Sequence, residues 1–111
     1  VFLDAREDAE FMVSHIRDAI HIGFNNFKPC CLSDLDRSAN YIVYCSLGWR
    51  SGKICQLLKQ HGFANIHNLY GGIFEWVNLG KEVVNDSIPV RRIHAYSKSW
   101  GLWVSCPGKV Y

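Results

Sequence analysis

A charge-free run of β-branched and aromatic residues at positions 41–44, Tyr-Ile-Val-Tyr, is the feature that most constrains the fold. Such a run is typical of a strand buried on both faces, and strands of that kind occur mainly in parallel sheets covered by helices. Residues 50–61 follow with apolar side chains at helical spacing, and Gly62 supplies the expected stop. We expect further strands at residues 1–4, 19–22 and 66–69, and helices at 7–14 and 73–79. The alternation predicts an α/β domain with a parallel sheet.

The segment that joins this strand to its helix, residues 45–51, reads Cys-Ser-Leu-Gly-Trp-Arg-Ser. In open α/β sheets ligands bind at the carboxyl ends of the strands, which is where Cys45 stands. The positive end of the following helix favours the thiolate, the nucleophilic form of cysteine. Gly48 allows a positive φ that turns successive N–H groups inward, and Arg50 can offer a planar pair of donors to an oxyanion. We therefore expect Cys45 to be reactive and to be surrounded by an anion-binding loop of Ser46, Leu47, Gly48, Trp49, Arg50 and Ser51.

Two other loop motifs differ from this segment in their spacing. A nucleotide P-loop has its glycines further apart and needs Ser or Thr where Ile54 stands. The Cys-dependent phosphatases have a C-x5-R loop, whereas Cys45 and Arg50 are spaced as C-x4-R. The tighter loop suits a sulfur atom better than a tetrahedral phosphate, so a phosphatase or arsenate reductase is the less favoured alternative.

Five motifs follow one another along residues 1–84. They are Leu-Asp-Ala-Arg at 3–6, Glu-Phe at 10–11, Ser-His-Ile-Arg-Asp-Ala-Ile at 14–20, the loop at 45–51, and Gly-Phe at 62–63 with Asn-Leu-Tyr-Gly-Gly-Ile-Phe-Glu-Trp at 68–76. In that order they resemble L-D-V-R, E-[YF], G-H-I-P-G-A-x, C-x-x-G-x-R-S and G-[FY]…L-x-G-G-x-x-x-W of the rhodanese-like sulfurtransferase family.

The resemblance implies a three-layer rhodanese-like fold, with a mostly parallel five-stranded sheet and helices on both faces. It also implies a sulfurtransferase of the thiosulfate type, in which Cys45 takes a sulfane sulfur as a persulfide and passes it on. Residues 46–51 would hold the sulfur and the donor anion. Asp4 and Arg6 would support this side of the fold, and His15 would be a hydrogen-bonded structural residue.

The same resemblance implies the partners. The donor would be thiosulfate or a persulfide, and the acceptor cyanide or a thiol, which a protein can also supply. The reaction needs no metal and no organic cofactor. The main alternative is a non-catalytic rhodanese-like module that binds proteins, but such modules usually lose the cysteine that stands at position 45.

Composition excludes several other classes of protein. A hydrophobic fraction of 49% and a charged fraction of 20% exclude a disordered chain. The net charge of +2 is too small to indicate nucleic-acid binding, and no apolar run is long enough to span a membrane. We expect neither a nucleic acid nor a membrane as partner.

The five cysteines show no C-x-x-C spacing, which favours reduced thiols and a cytoplasmic location over a zinc site or a disulfide framework. Cys55, beside Ile54 and Leu58 on the predicted helix, is interpreted as a core residue. The other thiols, Cys30, Cys31 and Cys106, are interpreted as packing or surface residues.

Domain organisation follows from the same pattern. Residues 1–84 are expected to form the domain, and residues 85–111 a C-terminal extension with several basic and aromatic side chains. Aromatic residues in such number are rarely left exposed, so we expect Tyr96, Trp100 and Trp103 to pack onto the domain. Because the chain opens inside an apolar run without Met, we expect it to be a trimmed piece, and the resemblance implies that the first short strand and helix of the domain lie upstream of Val1.

Overall fold

The computed structural model describes residues 1–28, 32 and 34–95, together with the backbone of residues 109–110. The elements of the first 80 residues alternate as the sequence predicts. They are β1 (Phe2–Asp4), α1 (Asp8–Val13), β2 (Ile20–His21), β3 (Asn40–Tyr44), α2 (Trp49–Gln60), β4 (Asn65–Asn68) and α3 (Gly72–Asn78). Four short strands follow: β5 (Val83–Asn85), β6 (Ile88–Val90), β7 (Ile93–His94) and β8 (Lys109–Val110).

The central sheet is parallel throughout, with the strand order β2-β1-β3-β4. Leu3 of β1 lies opposite Ile20 on one side and Val43 on the other. This confirms the α/β class and the parallel sheet. Among the described residues the sheet has four strands, where the resemblance implied five. β5 does not extend it, because β5 pairs with β6 in an antiparallel hairpin and reaches the rest of the domain through a bridge between Val84 and His15.

Helices cover both faces of the sheet, as expected. Side chains alternate between the two faces along a strand, so neighbouring residues of β3 enter different parts of the core. Val43 packs with Ile54 and Leu58 of α2, whereas Tyr44 packs with Ile73 and Phe74 of α3. The carboxyl end of β3 is therefore enclosed by both helical layers, and the residue that follows it is buried.

The C-terminal segment contributes to the core on the α3 side. Ile93 and Ala95 are fully buried, and Ile93 packs in the cluster that contains Tyr44 and Phe74. The Ser14 hydroxyl at the end of α1 donates a hydrogen bond to the Arg92 carbonyl.

Several residues of the sequence interpretation lie outside the described residues. They are the aromatic residues Tyr96, Trp100 and Trp103 and the cysteines Cys30, Cys31 and Cys106. Within the described ranges, no helix combines the length and the apolar character that crossing a membrane requires.

The burial of Ile93 leads to a stability prediction. Ile93→Ala should lower the free energy of unfolding by about 2–5 kcal/mol, because it leaves a cavity at a fully buried site. Ile88→Ala is the matched control: Ile88 is 65% exposed, and the change should cost less than about 0.5 kcal/mol. Chemical denaturation of the three proteins measures both values, and equal losses would mean that β7 does not belong to the core.

Candidate active site

Cys45 directly follows β3, and its side chain is 1% exposed. Two groups of the next turn lie against its sulfur. The Gly48 N–H donates to Sγ at 3.0 Å, and the Ser51 hydroxyl lies 3.4 Å from it. The segment thus curls around the sulfur.

The curl depends on the backbone of Gly48. Its φ is 119°, in the region that side-chain-bearing residues rarely adopt, and it forms the N-cap of α2. α2 starts at the next residue, so its unpaired N–H groups and the positive end of its dipole face the loop. Both features place partial positive charge beside the Cys45 sulfur.

The start of α3 holds the other side of the loop. The Ile73 N–H donates to the Cys45 carbonyl at 2.8 Å, and the Phe74 N–H donates to the Ser46 carbonyl at 3.1 Å. Gly72 makes this approach possible, because a Cβ atom there would lie 2.6 Å from the Cys45 carbonyl oxygen. α3 thus holds these two carbonyls, while the loop directs the Gly48 N–H at the sulfur.

Arg50 lies where the sequence analysis did not place it. Its Nη1 donates to Glu10 Oε2 at 2.7 Å, and its Nη2 donates to Glu10 Oε1 and to Ser46 Oγ, both at 2.9 Å. The Ser46 hydroxyl in turn donates to Glu10 Oε1 at 2.9 Å. The planar fork that was predicted for a donor oxyanion is therefore bound to a carboxylate of α1. Arg50 is 4% exposed and Glu10 1%, so this is an ion pair of the interior.

The charge state of this pair is well defined. Burial alone would raise the pKa of Glu10, but the hydrogen bonds and the positive charge of Arg50 outweigh it, and the pKa lies below its ordinary value. Glu10 is consequently a carboxylate at neutral pH. Its Oε2 also accepts the Glu7 N–H at 2.8 Å, which completes a capping box at the start of α1.

Asp4 and Arg6 form a second buried ion pair beside the loop. Arg6 Nη2 donates to Asp4 Oδ2 at 2.7 Å and to the Ser14 carbonyl at 2.7 Å. The Tyr44 hydroxyl donates to the same Asp4 oxygen at 2.7 Å, and burial together with the Asp4 charge raises the pKa of Tyr44. Tyr44 immediately precedes Cys45, so this network fixes the end of β3. These contacts favour the structural role expected of Asp4 and Arg6 on this side of the fold.

His15 has its contacts away from the loop. Its ring stacks on Phe11 with centroids 3.8 Å apart, and Nδ1 lies 3.1 Å from the Phe11 carbonyl. Its backbone forms the bridge to Val84. These contacts support a structural role.

The two large apolar residues of the loop point in different directions. Leu47 lines an open cavity of about 490 Å³ together with Leu69, Tyr70 and Phe74. Trp49 is 62% exposed and is not part of that lining. The centroid of its ring lies 5.9 Å from the ring centroid of Phe24. Trp49 therefore projects outward, and the wall of the cavity is formed by Leu47 and by residues before and within α3.

Sequence reasoning missed two residues of the site. Glu10 was named only as part of the Glu-Phe motif, and that motif was the available signal for it. Asn68 at the end of β4 was not singled out. Its Nδ2 donates to the Gly48 carbonyl at 3.0 Å, and its Oδ1 accepts the Ser51 hydroxyl at 2.5 Å.

The arrangement suits nucleophilic sulfur chemistry. A cysteine lies at a helix N-terminus, receives an N–H hydrogen bond, and is enclosed by a loop that buried charges hold in shape. In the described part of the chain no group of three or more His, Cys, Asp or Glu side chains could hold a metal ion.

Comparison with known proteins shows the family and the fold of this chain. The family model of the rhodanese-like domain matches residues 1–79. A sulfurtransferase of Allochromatium vinosum is 31% identical over 84 residues, which are 76% of this chain and 78% of that protein. The crystal structure of a rhodanese-related protein from Thermoplasma volcanium has a TM-score of 0.62 and 32% identity, and the match covers 75% of this chain and 81% of that one.

Longer proteins contain the same domain. A tRNA uridine(34) hydroxylase of Pectobacterium atrosepticum is 33% identical over 86 residues, which are 73% of this chain. The chain spans only 24% of the length of that relative. The family model and the solved structure agree with the order of β3, loop and α2 that is described above. The chain therefore belongs to the rhodanese-like domain family.

Proposed function

We propose that this domain is a sulfurtransferase that carries a sulfane sulfur on Cys45. The observation that supports it best is the hydrogen bond from the Gly48 N–H to Cys45 Sγ, at the N-terminus of α2. Amide donors and a helix dipole stabilise an anionic sulfur, whether it is the thiolate or the terminal sulfur of a persulfide.

The reaction has two half-reactions. In the first, the Cys45 thiolate attacks the sulfane sulfur of the donor, the S–S bond of the donor breaks, and its electron pair leaves with sulfite when the donor is thiosulfate. In the second, cyanide or a thiolate attacks the outer sulfur of the persulfide, and the Cys45 thiolate is regenerated as thiocyanate or a new persulfide leaves. No net oxidant or reductant is consumed.

The donor anion would be held by the backbone, not by Arg50, since both terminal nitrogens of Arg50 are bound to Glu10 and Ser46. The cavity beside Leu47 and Gly48 is the entry that we propose for donor and acceptor. We propose a reducing compartment such as the cytoplasm, in which the free thiols of Cys45 and Cys55 would stay reduced. The acceptor would be cyanide, a small thiol or a thiol of another protein.

Sulfur loading should depend on Cys45 alone. After incubation with thiosulfate or, separately, with a thiol persulfide, intact-protein mass spectrometry should show the protein one sulfur atom heavier, and cyanide should remove that mass. Cys45→Ser should abolish the gain. Cys55→Ala is the matched control and should keep it, because Cys55 lies within α2 in the core cluster and not at the helix N-terminus, and burial raises the pKa of its thiol.

Two other results would overturn the proposal. Hydrolysis of an aryl phosphate that depends on Cys45, with no persulfide from any donor, would indicate a phosphatase. The absence of both activities in the folded protein would indicate a binding module.

The buried pair of Glu10 and Arg50 is proposed to hold the loop in its sulfur-binding shape. Glu10→Gln would leave the Arg50 charge uncompensated in the interior, and it should lower the free energy of unfolding by about 3–5 kcal/mol. Glu82→Gln changes a surface pair with Arg17, whose side chains are about half exposed, and it should cost less than about 1 kcal/mol. Denaturant unfolding at neutral pH measures both changes.

The loss of unfolding free energy in Glu10→Gln should also depend on pH. The pKa of Glu10 is lower in the folded than in the unfolded protein, so its stabilisation is present above the unfolded value of about 4.3 and is lost as the pH falls through the folded value. The stability gap between the wild type and Glu10→Gln should therefore narrow below about pH 4.3. A gap that is constant or widens on acidification would contradict an ionised Glu10.

A further inference from the structure

The side chain of Asn68 lies across the first turn of α2. Its Nδ2 donates to the Gly48 carbonyl at 3.0 Å, and its Oδ1 accepts the hydrogen of the Ser51 hydroxyl. The amide packs closely on this turn, since Cβ atoms placed on Gly52 and Gly48 would lie in van der Waals contact with Nδ2, at 3.4 and 3.8 Å. A single exposed side chain thus joins the end of β4 to both residues that touch Cys45 Sγ.

The donors and acceptors fix how this contact works. A carbonyl oxygen only accepts, so the NH₂ group of Asn68 must face Gly48, and its oxygen must face Ser51. That oxygen also only accepts, so the one hydrogen of the Ser51 hydroxyl is given to Asn68. While this bond is present, the hydrogen bond to Cys45 Sγ comes from the Gly48 N–H.

We propose that Asn68 is a positioning residue for sulfur transfer, which holds Gly48 and Ser51 so that the Gly48 N–H stays on the Cys45 sulfur. The inference rests on the proposed function of Cys45. Asn68 itself does not touch the sulfur in this scheme; it acts through the two residues that do.

A residue that only stabilised the fold would have a different signature. Asn68 is exposed, so its loss removes hydrogen bonds but leaves no cavity in the core. Both of its bonds end on the turn that carries the donor to the sulfur. Removal of this side chain should therefore lower kcat for sulfur transfer, while the free energy of unfolding changes little.

The test compares Asn68→Ala with Asn65→Ala. Asn65 lies on the same strand, and its Nδ2 donates to the Ser38 carbonyl at 2.8 Å, away from the loop. Asn68→Ala should lower kcat for sulfur transfer from thiosulfate to cyanide about tenfold, the size expected for one or two lost hydrogen bonds, with KM for thiosulfate changed less than about twofold. Asn65→Ala should match the wild type within about twofold in both constants.

A second readout does not need sulfur transfer. Alkylation of Cys45 by iodoacetamide, followed by mass spectrometry, should be slower in Asn68→Ala than in the wild type and unchanged in Asn65→Ala. If the wild type takes up no sulfur, the proposed function fails, while the alkylation rates still decide the role of Asn68.

Coupling to Ser51 completes the test. If Asn68 acts through Ser51, the double variant of Asn68→Ala and Ser51→Ala should lose clearly less alkylation rate than the product of the two single losses. Fully multiplicative losses, an Asn68→Ala protein within twofold of the wild type in both readouts, or an equal loss in Asn65→Ala would each overturn the inference.

Discussion

The buried ion pair between Glu10 and Arg50 is the interaction on which the candidate site depends. It joins α1 to the first turn of α2, and Ser46 of the loop between β3 and α2 lies within the same hydrogen-bonded group. An ion pair removed from water is stable only when its hydrogen bonds are made, and here both carboxylate oxygens are bound. The same carboxylate caps α1, a six-residue helix that is too short to be stable alone. One side chain therefore fixes both a helix and a loop.

Once Arg50 is bound to Glu10, backbone groups are left to face the sulfur. α3 binds the carbonyls of Cys45 and Ser46 from one side, and Gly48 turns its N–H toward Sγ from the other. A backbone N–H donor at a helix N-terminus can stabilise a negative sulfur without a positively charged side chain beside it. In the proposed reaction this matters twice, because both the attacking thiolate and the persulfide that follows it are anions.

The sequence predicted the elements whose signals are local. β3 and α2 have unbroken apolar patterns and a glycine stop, and Cys45 and Gly48 lie where that order of strand, loop and helix puts them. The pairing of Arg50 with Glu10 was not predicted, because the two residues are 40 positions apart along the chain and no local pattern shows it. Asn68 was missed for the same reason, since an exposed asparagine at a strand end has no periodicity. The hairpin of β5 and β6 was not predicted either, since its two strands are only three residues long.

The central claim is that a loop held by Glu10 and Arg50 presents Cys45 as the carrier of sulfur. Its most direct test is a crystal structure of the protein after treatment with a persulfide donor. The account predicts an additional sulfur bonded to Cys45 Sγ at about 2.05 Å, within hydrogen-bond distance of loop N–H groups, with Arg50 still bound to Glu10. Sulfur on Cys55 and not on Cys45, or an Arg50 that has left Glu10 to bind the added sulfur, would contradict it.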